Sequence, residues 1–149
     1  MIQPRVPASS LHASCVARDG AAVLLLGPSG AGKSDLALRL LARGFALVAD
    51  DRVIIEAGAA RPDPALAGLL EVRGLGIVRQ AHQAPVPIAL AVLLVANKPE
   101  RLPMPAEFGL PPVPLVAIDP FTVSAAEQVA LALDCALGRV GQVAGAFAA

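Results

Sequence analysis

A glycine-rich segment at residues 27–34 is the part of the sequence best suited to chemistry. The segment reads Gly27-Pro28-Ser29-Gly30-Ala31-Gly32-Lys33-Ser34. It therefore has every fixed position of the G-x-x-x-x-G-K-S phosphate-binding pattern. In that pattern, backbone N–H groups surround a polyphosphate, the lysine reaches the β- and γ-phosphates, and the serine hydroxyl binds Mg²⁺. The segment predicts a nucleotide site in which Lys33 and Ser34 contact the ligand.

The segments on either side of this loop have the patterns needed to position it. Residues 22–26 are all apolar, as expected for a buried parallel strand. Residues 34–43 alternate apolar and polar positions with helical spacing, and Gly44 supplies a stop signal. A strand, a phosphate loop and a helix in this order form the context in which the pattern binds phosphate.

Two adjacent carboxylates, Asp50 and Asp51, follow the apolar residues 46–49, which predict a second buried strand. Ligands of open α/β sheets bind at the carboxyl ends of the strands. One carboxylate at this edge can hold Mg²⁺ directly or through water, and the other can accept a proton from an attacking hydroxyl. The alternative is a solvated Asp-Asp turn without a function.

Two further groups are candidates for the same site. We expect His12 to lie on a strand that pairs, through a turn at Asp19-Gly20, with the strand before the loop. The motif Glu71-x-Arg73-Gly74-x-Gly76 combines a carboxylate, a guanidinium and glycines that allow close approach of backbone to a ligand. The alternatives are a structural histidine and a glycine-rich turn with a surface ion pair.

The remaining segments complete an α/β pattern with both parallel and antiparallel strands. We expect a domain over residues 11–138, preceded by an arm (1–10) and followed by a flexible tail (139–149). Within the domain, residues 57–68 predict a loop, 88–95 and 114–118 predict strands, and 97–114 predict a proline-rich surface excursion. Ser124-Ala-Ala-Glu127 is the pattern of a capping box at the start of a last helix.

Composition excludes several classes of protein. The 149 residues have no net charge and no basic stripe, which argues against nucleic acid as a partner. The longest apolar stretch, residues 88–96, is far shorter than the roughly 20 residues that cross a bilayer, so we expect no membrane association. The first residues lack the apolar core of a signal peptide, and the two cysteines are isolated. These features predict a cytoplasmic protein.

Together, these motifs resemble the catalytic domain of the HPr kinase/phosphorylase family. The resemblance runs from about residue 11 to residue 134 and is most specific in two places. These are the double aspartate close behind the phosphate loop and Glu71-Val-Arg-Gly-Leu-Gly-Ile77. The resemblance implies an α/β phosphate-loop kinase fold akin to phosphoenolpyruvate carboxykinase, with a mixed sheet and flanking helices. It also implies a homo-oligomer, commonly a hexamer.

The resemblance also implies an activity. Family members use ATP and Mg²⁺ to phosphorylate a serine on HPr, the phosphocarrier of the sugar phosphotransferase system, and thereby regulate carbohydrate metabolism. They can also reverse the reaction, using inorganic phosphate and releasing pyrophosphate. An HPr-like protein is therefore the implied partner.

Roles follow from the family by position. Asp51 matches the general base, and Ser34 and Glu71 match Mg²⁺ positions. From its place beside Asp51 at the strand end, we expect Asp50 to support the metal or its waters. The other matched catalytic positions are Lys33, His12 and Arg101.

Three departures from the family's longer members bear on this expectation. We expect a short form without their N-terminal regulatory domain, and the stretch between Asp51 and Glu71 is shorter than theirs. The segment Pro114-Leu-Val-Ala-Ile-Asp-Pro120 stands where they have Pro-x-Arg-Pro-Gly-Arg, a motif tied to dephosphorylation. Two other functions stay open: a phosphate-loop kinase for another protein or small molecule, and a non-catalytic ATP sensor.

Overall fold

The computed structural model of this chain describes residues 8–148, so most of the predicted arm lies outside the described residues. The strands are β1 (Ser9–Leu11), β2 (Ser14–Arg18), β3 (Ala21–Leu26), β4 (Ala46–Ala49), β5 (Val53–Glu56), β6 (Ala59–Pro62), β7 (Leu69–Val72), β8 (Gly76–Arg79), β9 (Val86–Leu94) and β10 (Leu115–Ile118). The α-helices are α1 (Lys33–Leu41) and α2 (Ala125–Ala136).

Eight of these strands form one mixed sheet, as the sequence predicted. Their order is β1-β5-β6-β9-β3-β2-β4, and β10 pairs with β9 beside this path. The strand before the phosphate loop, β3, is parallel to β9, and β9 is parallel to β10. β7 and β8 form a separate antiparallel hairpin.

The direction of β2 determines which strand ends meet at the phosphate loop. β2 lies between β3 and β4 and is antiparallel to both, so β3 and β4 run parallel to each other. The carboxyl ends of β3, β4, β9 and β10 therefore share one edge of the sheet with the amino end of β2. We call this edge the loop edge, because the phosphate loop follows β3 there.

The core has two layers because side chains alternate along each strand. On one face, Val16, Val23 and Leu25 pack with Leu36 of α1 and Leu133 of α2. On the other face, the alternate residues of β2 and β3 pack with residues of β5 and β6. Both helices therefore cover the same face of the sheet.

The structure corrects three details of the predicted elements. His12 lies in the break between β1 and β2 rather than within a strand, because β1 pairs with β5 whereas β2 pairs with β3. Residues 57–68 include a strand, β6, whose antiparallel pairing with β5 supplies the order that its Ala- and Pro-rich composition did not predict. The Glu71 motif, for which the sequence predicted no secondary structure, forms the hairpin of β7 and β8 with its turn at residues 73–75.

Other predicted segments have mixed outcomes. Residues 97–114 contain neither helix nor strand, as predicted. Ser124 precedes α2, but the predicted capping box is wrong because the Ser124 side chain makes no capping hydrogen bond. Its hydroxyl instead accepts from the Gln128 side-chain amide, and the Glu127 carboxylate accepts from Arg43. Phe147 packs against the core, and the flexibility of the tail stays a prediction.

Within residues 8–148, no helix has both the length and the apolar character needed to cross a membrane.

Two leucines of α2 test the packing of this helix on the sheet. Leu133 is fully buried, whereas Leu131 is 54% exposed. We expect Leu133→Ala to lower the free energy of unfolding by about 2–5 kcal/mol, because it leaves a cavity in the core. Leu131→Ala should change it by no more than about 0.5 kcal/mol. Urea unfolding followed by circular dichroism measures both values, and equal losses would contradict the observed orientation of α2.

Candidate active site

The phosphate loop has the backbone form that its glycines allow. Gly30 and Gly32 have positive φ angles of 81° and 97°, which residues with a Cβ rarely adopt. The Gly32 carbonyl accepts from the Leu36 amide at 2.9 Å, so the loop passes directly into α1. The first amides of this helix therefore face the loop, where they favour an anion.

The Lys33 side chain reaches back to the start of the phosphate loop. Its ammonium group donates to the carbonyl oxygens of Gly27 (2.7 Å) and Pro28 (2.9 Å), which leaves one N–H free of these contacts. Burial lowers the pKa of Lys33 below that of an ordinary lysine, whereas the charges of Asp50 and Asp51 act in the opposite direction. The ammonium group is thus placed at the loop by backbone rather than by an ion pair.

Asp50 is the buried centre of the site. One oxygen of its carboxylate accepts from the hydroxyls of Ser14 (2.7 Å) and Ser34 (2.8 Å). The other oxygen accepts from the backbone N–H of Glu71 at 3.3 Å. A single carboxylate therefore ties the start of β2, the start of α1 and the β7–β8 hairpin to the end of β4.

Asp51 faces the opposite way and belongs to a second set of contacts. Its carboxylate lies 3.2 Å from His12 Nδ1, and His12 Nε2 lies 3.3 Å from Ser29 Oγ. Asp51 has a positive φ of 67°, and its carbonyl accepts from the Ala13 amide. The two adjacent carboxylates differ in exposure: Asp50 is buried, whereas the Asp51 side chain is 67% exposed.

These groups surround a cleft of about 580 Å³, a volume in the range of small-ligand sites. The walls come from the start of β2, the phosphate loop, α1, the β7–β8 hairpin and the segment after β10. The lining residues are His12, Ser14, Ser29, Gly30, Gly32, Lys33, Ser34, Asp35, Leu38, Asp51, Glu71, Val72, Arg73 and Phe121.

The oxygen atoms around Asp50 suit Mg²⁺. This ion prefers hydroxyl and carboxylate oxygens and usually retains waters or phosphate oxygens as its other ligands. In residues 8–148, the Asp50 carboxylate has no salt bridge, and its hydrogen bonds come from neutral donors. The Ser34 hydroxyl and the Glu71 backbone N–H both contact it, and both residues line the cleft. Ser34, Asp50 and Glu71 therefore offer the charge and donor type for a divalent cation.

Most of the residues expected at the site line the cleft, but Gly27, Pro28, Ala31, Asp50 and Arg101 do not. Arg101 is exposed in the segment after β9 and is absent from the cleft walls. Residues 27–33 of the phosphate loop lie at the loop edge, together with Ser34, Asp50, Asp51, His12 and Glu71. The role of Arg101 stays a prediction.

Sequence reasoning missed Ser14 and the wall formed by Leu38 and Phe121. A signal for Ser14 was present, because it is a polar residue two positions after His12 in an otherwise apolar run. No local signal marked Phe121, since it reaches the cleft from a segment more than 80 residues after the phosphate loop.

Comparisons with known proteins show which family this chain resembles. The family model described as HPr Serine kinase C-terminal domain matches residues 5–83. The HPr kinase/phosphorylase of Cupriavidus necator is 35% identical over 88% of this chain and 45% of its own length. The enzyme of the same name from Limosilactobacillus reuteri is 41% identical over 52% of this chain and 26% of its own. The chain thus spans less than half the length of either relative.

A solved structure supports the fold. The Hpr(Ser) kinase/phosphatase from Coxiella burnetii superposes on this chain with a TM-score of 0.67 and 23% identity. The match covers 88% of this chain and 92% of that chain. The mixed α/β phosphate-loop fold expected from the sequence is confirmed.

The match to the family model includes both the phosphate loop and the Glu71 motif, and it covers more than half of the chain. The chain therefore belongs to the HPr kinase family and carries its C-terminal domain.

Proposed function

We propose that this chain transfers the γ-phosphoryl group of MgATP to a serine hydroxyl of an HPr-like phosphocarrier protein in the cytoplasm. The observation that carries the proposal is the pair of aspartates at the phosphate loop. Asp50 is turned inward to the Ser34 hydroxyl, and Asp51 is turned outward into the cleft beside His12. An inward carboxylate suits a metal, and an outward one can reach a second substrate.

The loop would hold the phosphates of ATP. Its backbone amides and the amino end of α1 would stabilise negative charge, and the Lys33 ammonium group, which the carbonyls of Gly27 and Pro28 hold at the loop, would contact the β- and γ-phosphates. Ser34, Asp50 and Glu71 would hold Mg²⁺, which supplies neutralisation of the phosphate charge. Phosphoryl transfer depends mainly on such positioning and charge stabilisation.

Asp51 would accept the proton of the attacking serine hydroxyl. Its carboxylate is exposed to the cleft, as access by a protein substrate requires. His12 lies between Asp51 and Ser29, so its imidazole restrains the carboxylate relative to the phosphate loop. This arrangement orients the base toward the end of the loop where the γ-phosphate would lie.

The relatives' name and the solved structure's description also include removal of the phosphate. We propose that the same cleft admits inorganic phosphate for the reverse step, in which Asp51 returns its proton to the serine oxygen. An oligomer, expected from the resemblance, is part of the same proposal.

Mass spectrometry of a candidate HPr after incubation with ATP and this chain tests the proposal. We expect one phosphoserine, and subsequent addition of inorganic phosphate should remove it and release pyrophosphate. Phosphorylation of another molecule, with no change in HPr, would indicate a kinase of different substrate. Tight ATP binding without transfer to any acceptor would indicate an ATP sensor.

Asp51→Asn separates binding from transfer. The amide keeps the size of the side chain but is a poor proton acceptor, so we expect ATP affinity to be retained and turnover to fall by about 100-fold or more. Calorimetric titration with ATP and a phosphorylation assay measure the two quantities. Asp19→Asn is the matched control, because Asp19 is exposed in the β2–β3 turn at the opposite edge of the sheet. Full activity of Asp51→Asn would contradict its role as base.

Asp50→Asn tests the metal site. Removal of the inward charge should weaken Mg²⁺ binding by about 10- to 100-fold while the hydroxyls of Ser14 and Ser34 retain an acceptor. Titration of ATP binding with Mg²⁺, and again with EDTA, measures this change. Asp19→Asn should leave the Mg²⁺ dependence as it is. An unchanged Mg²⁺ requirement in Asp50→Asn would place the metal elsewhere.

A further inference from the structure

Two large apolar side chains of the cleft wall, Leu38 and Phe121, have no part in the proposed transfer. The polar groups gather around Asp50 and His12, where hydrogen bonds join them. Leu38 lies one helical turn after Ser34 on α1, on the same side of the helix. Phe121 follows β10 and reaches the cleft from the loop edge.

The Phe121 side chain is exposed, but hydrogen bonds hold the backbone on either side of it. Its side chain is 72% exposed, whereas its neighbour Pro120 is buried. The Phe121 amide donates to the Asp119 carboxylate at 2.9 Å, and the Thr122 amide donates to the Asp119 carbonyl. A guanidinium N–H of Arg39, from α1, donates to the Pro120 carbonyl oxygen. These bonds fix the backbone that presents the ring.

The ring lies beside the last turn of the phosphate loop. A Cβ placed on Gly32 would lie 3.7 Å from the Phe121 ring and 3.7 Å from Pro120. The ring is therefore next to the point where the loop passes into α1. Asp51, which would receive the proton, contacts His12 and through it Ser29, earlier in the loop.

This arrangement gives a bound nucleoside triphosphate a direction. If the γ-phosphate faces Asp51, the α-phosphate and its nucleoside would leave the loop on the other side, along the first turns of α1. Leu38 and Phe121 line the cleft there. A flat, exposed aromatic ring with a fixed backbone is suited to stacking with a planar base, and it loses little side-chain entropy on doing so.

We propose that Phe121 is the platform on which the nucleotide base stacks, with Leu38 beside it. This inference rests on the proposed function, since it requires that the loop binds a nucleoside triphosphate. It assigns the ring to the nucleotide rather than to the protein substrate, because the ring adjoins Gly32 of the phosphate loop.

A comparison of ATP with inorganic tripolyphosphate, which has the phosphates but no base, tests the assignment. Phe121→Ala should weaken ATP binding by at least about fivefold, the lower range for loss of one base–aromatic stack. Its affinity for tripolyphosphate should equal that of the unaltered chain, which also shows that the variant is folded. Phe121→Tyr keeps the ring and should restore ATP affinity. Val123→Ala is the matched control, because Val123 is 96% exposed in the same segment and outside the cleft.

The outcomes separate this inference from the proposed function. An unaltered chain that binds neither triphosphate would refute both. Normal ATP affinity in Phe121→Ala would refute the stacking role alone, as would equal weakening of ATP and tripolyphosphate. A higher KM for the protein substrate, with ATP binding unchanged, would also overturn the inference and assign the ring to the protein acceptor.

Discussion

The contact on which this site depends is the buried carboxylate of Asp50. Four separate elements reach it: the end of β4 carries it, β2 and α1 donate hydroxyls, and the β7–β8 hairpin donates a backbone N–H. A buried charge without hydrogen bonds would be strongly unfavourable, so these donors are needed wherever Asp50 is ionised. The same bonds set the distance between the phosphate loop and the hairpin that bears Glu71. The side chain proposed to support the metal is thus also one that holds four elements together.

The antiparallel direction of β2 brings further polar side chains to the site. Were β2 parallel to its neighbours, its amino end would lie at the far edge of the sheet from the phosphate loop. Because it runs the other way, His12 and Ser14 precede or begin it at the loop edge, each beside one of the two aspartates. The adjacent carboxylates are divided, since Asp50 is buried whereas Asp51 lines the cleft. The two roles proposed for the Asp-Asp pair rest on this division.

Elements with strong local patterns were predictable, and those defined by distant partners were not. β3, α1 and β4 match their predicted places because continuous apolar runs, helical periodicity and glycine stops act over a few residues. β6 was not predicted, since its order comes from pairing with β5 and β9 rather than from its own Ala- and Pro-rich composition. The capping box failed for a similar reason: Arg43, at the end of α1, engages Glu127.

For the site, local sequence specified the chemistry, and the tertiary structure decided its geometry. The phosphate-loop pattern requires particular residues at adjacent positions, so Lys33 and Ser34 could be assigned without a fold. The separate directions of Asp50 and Asp51, the recruitment of Ser14 and the approach of Phe121 depend on strand order and strand direction. Strand order and direction are set by pairing between residues far apart in the chain. No single segment of the sequence therefore contains the information that predicts them.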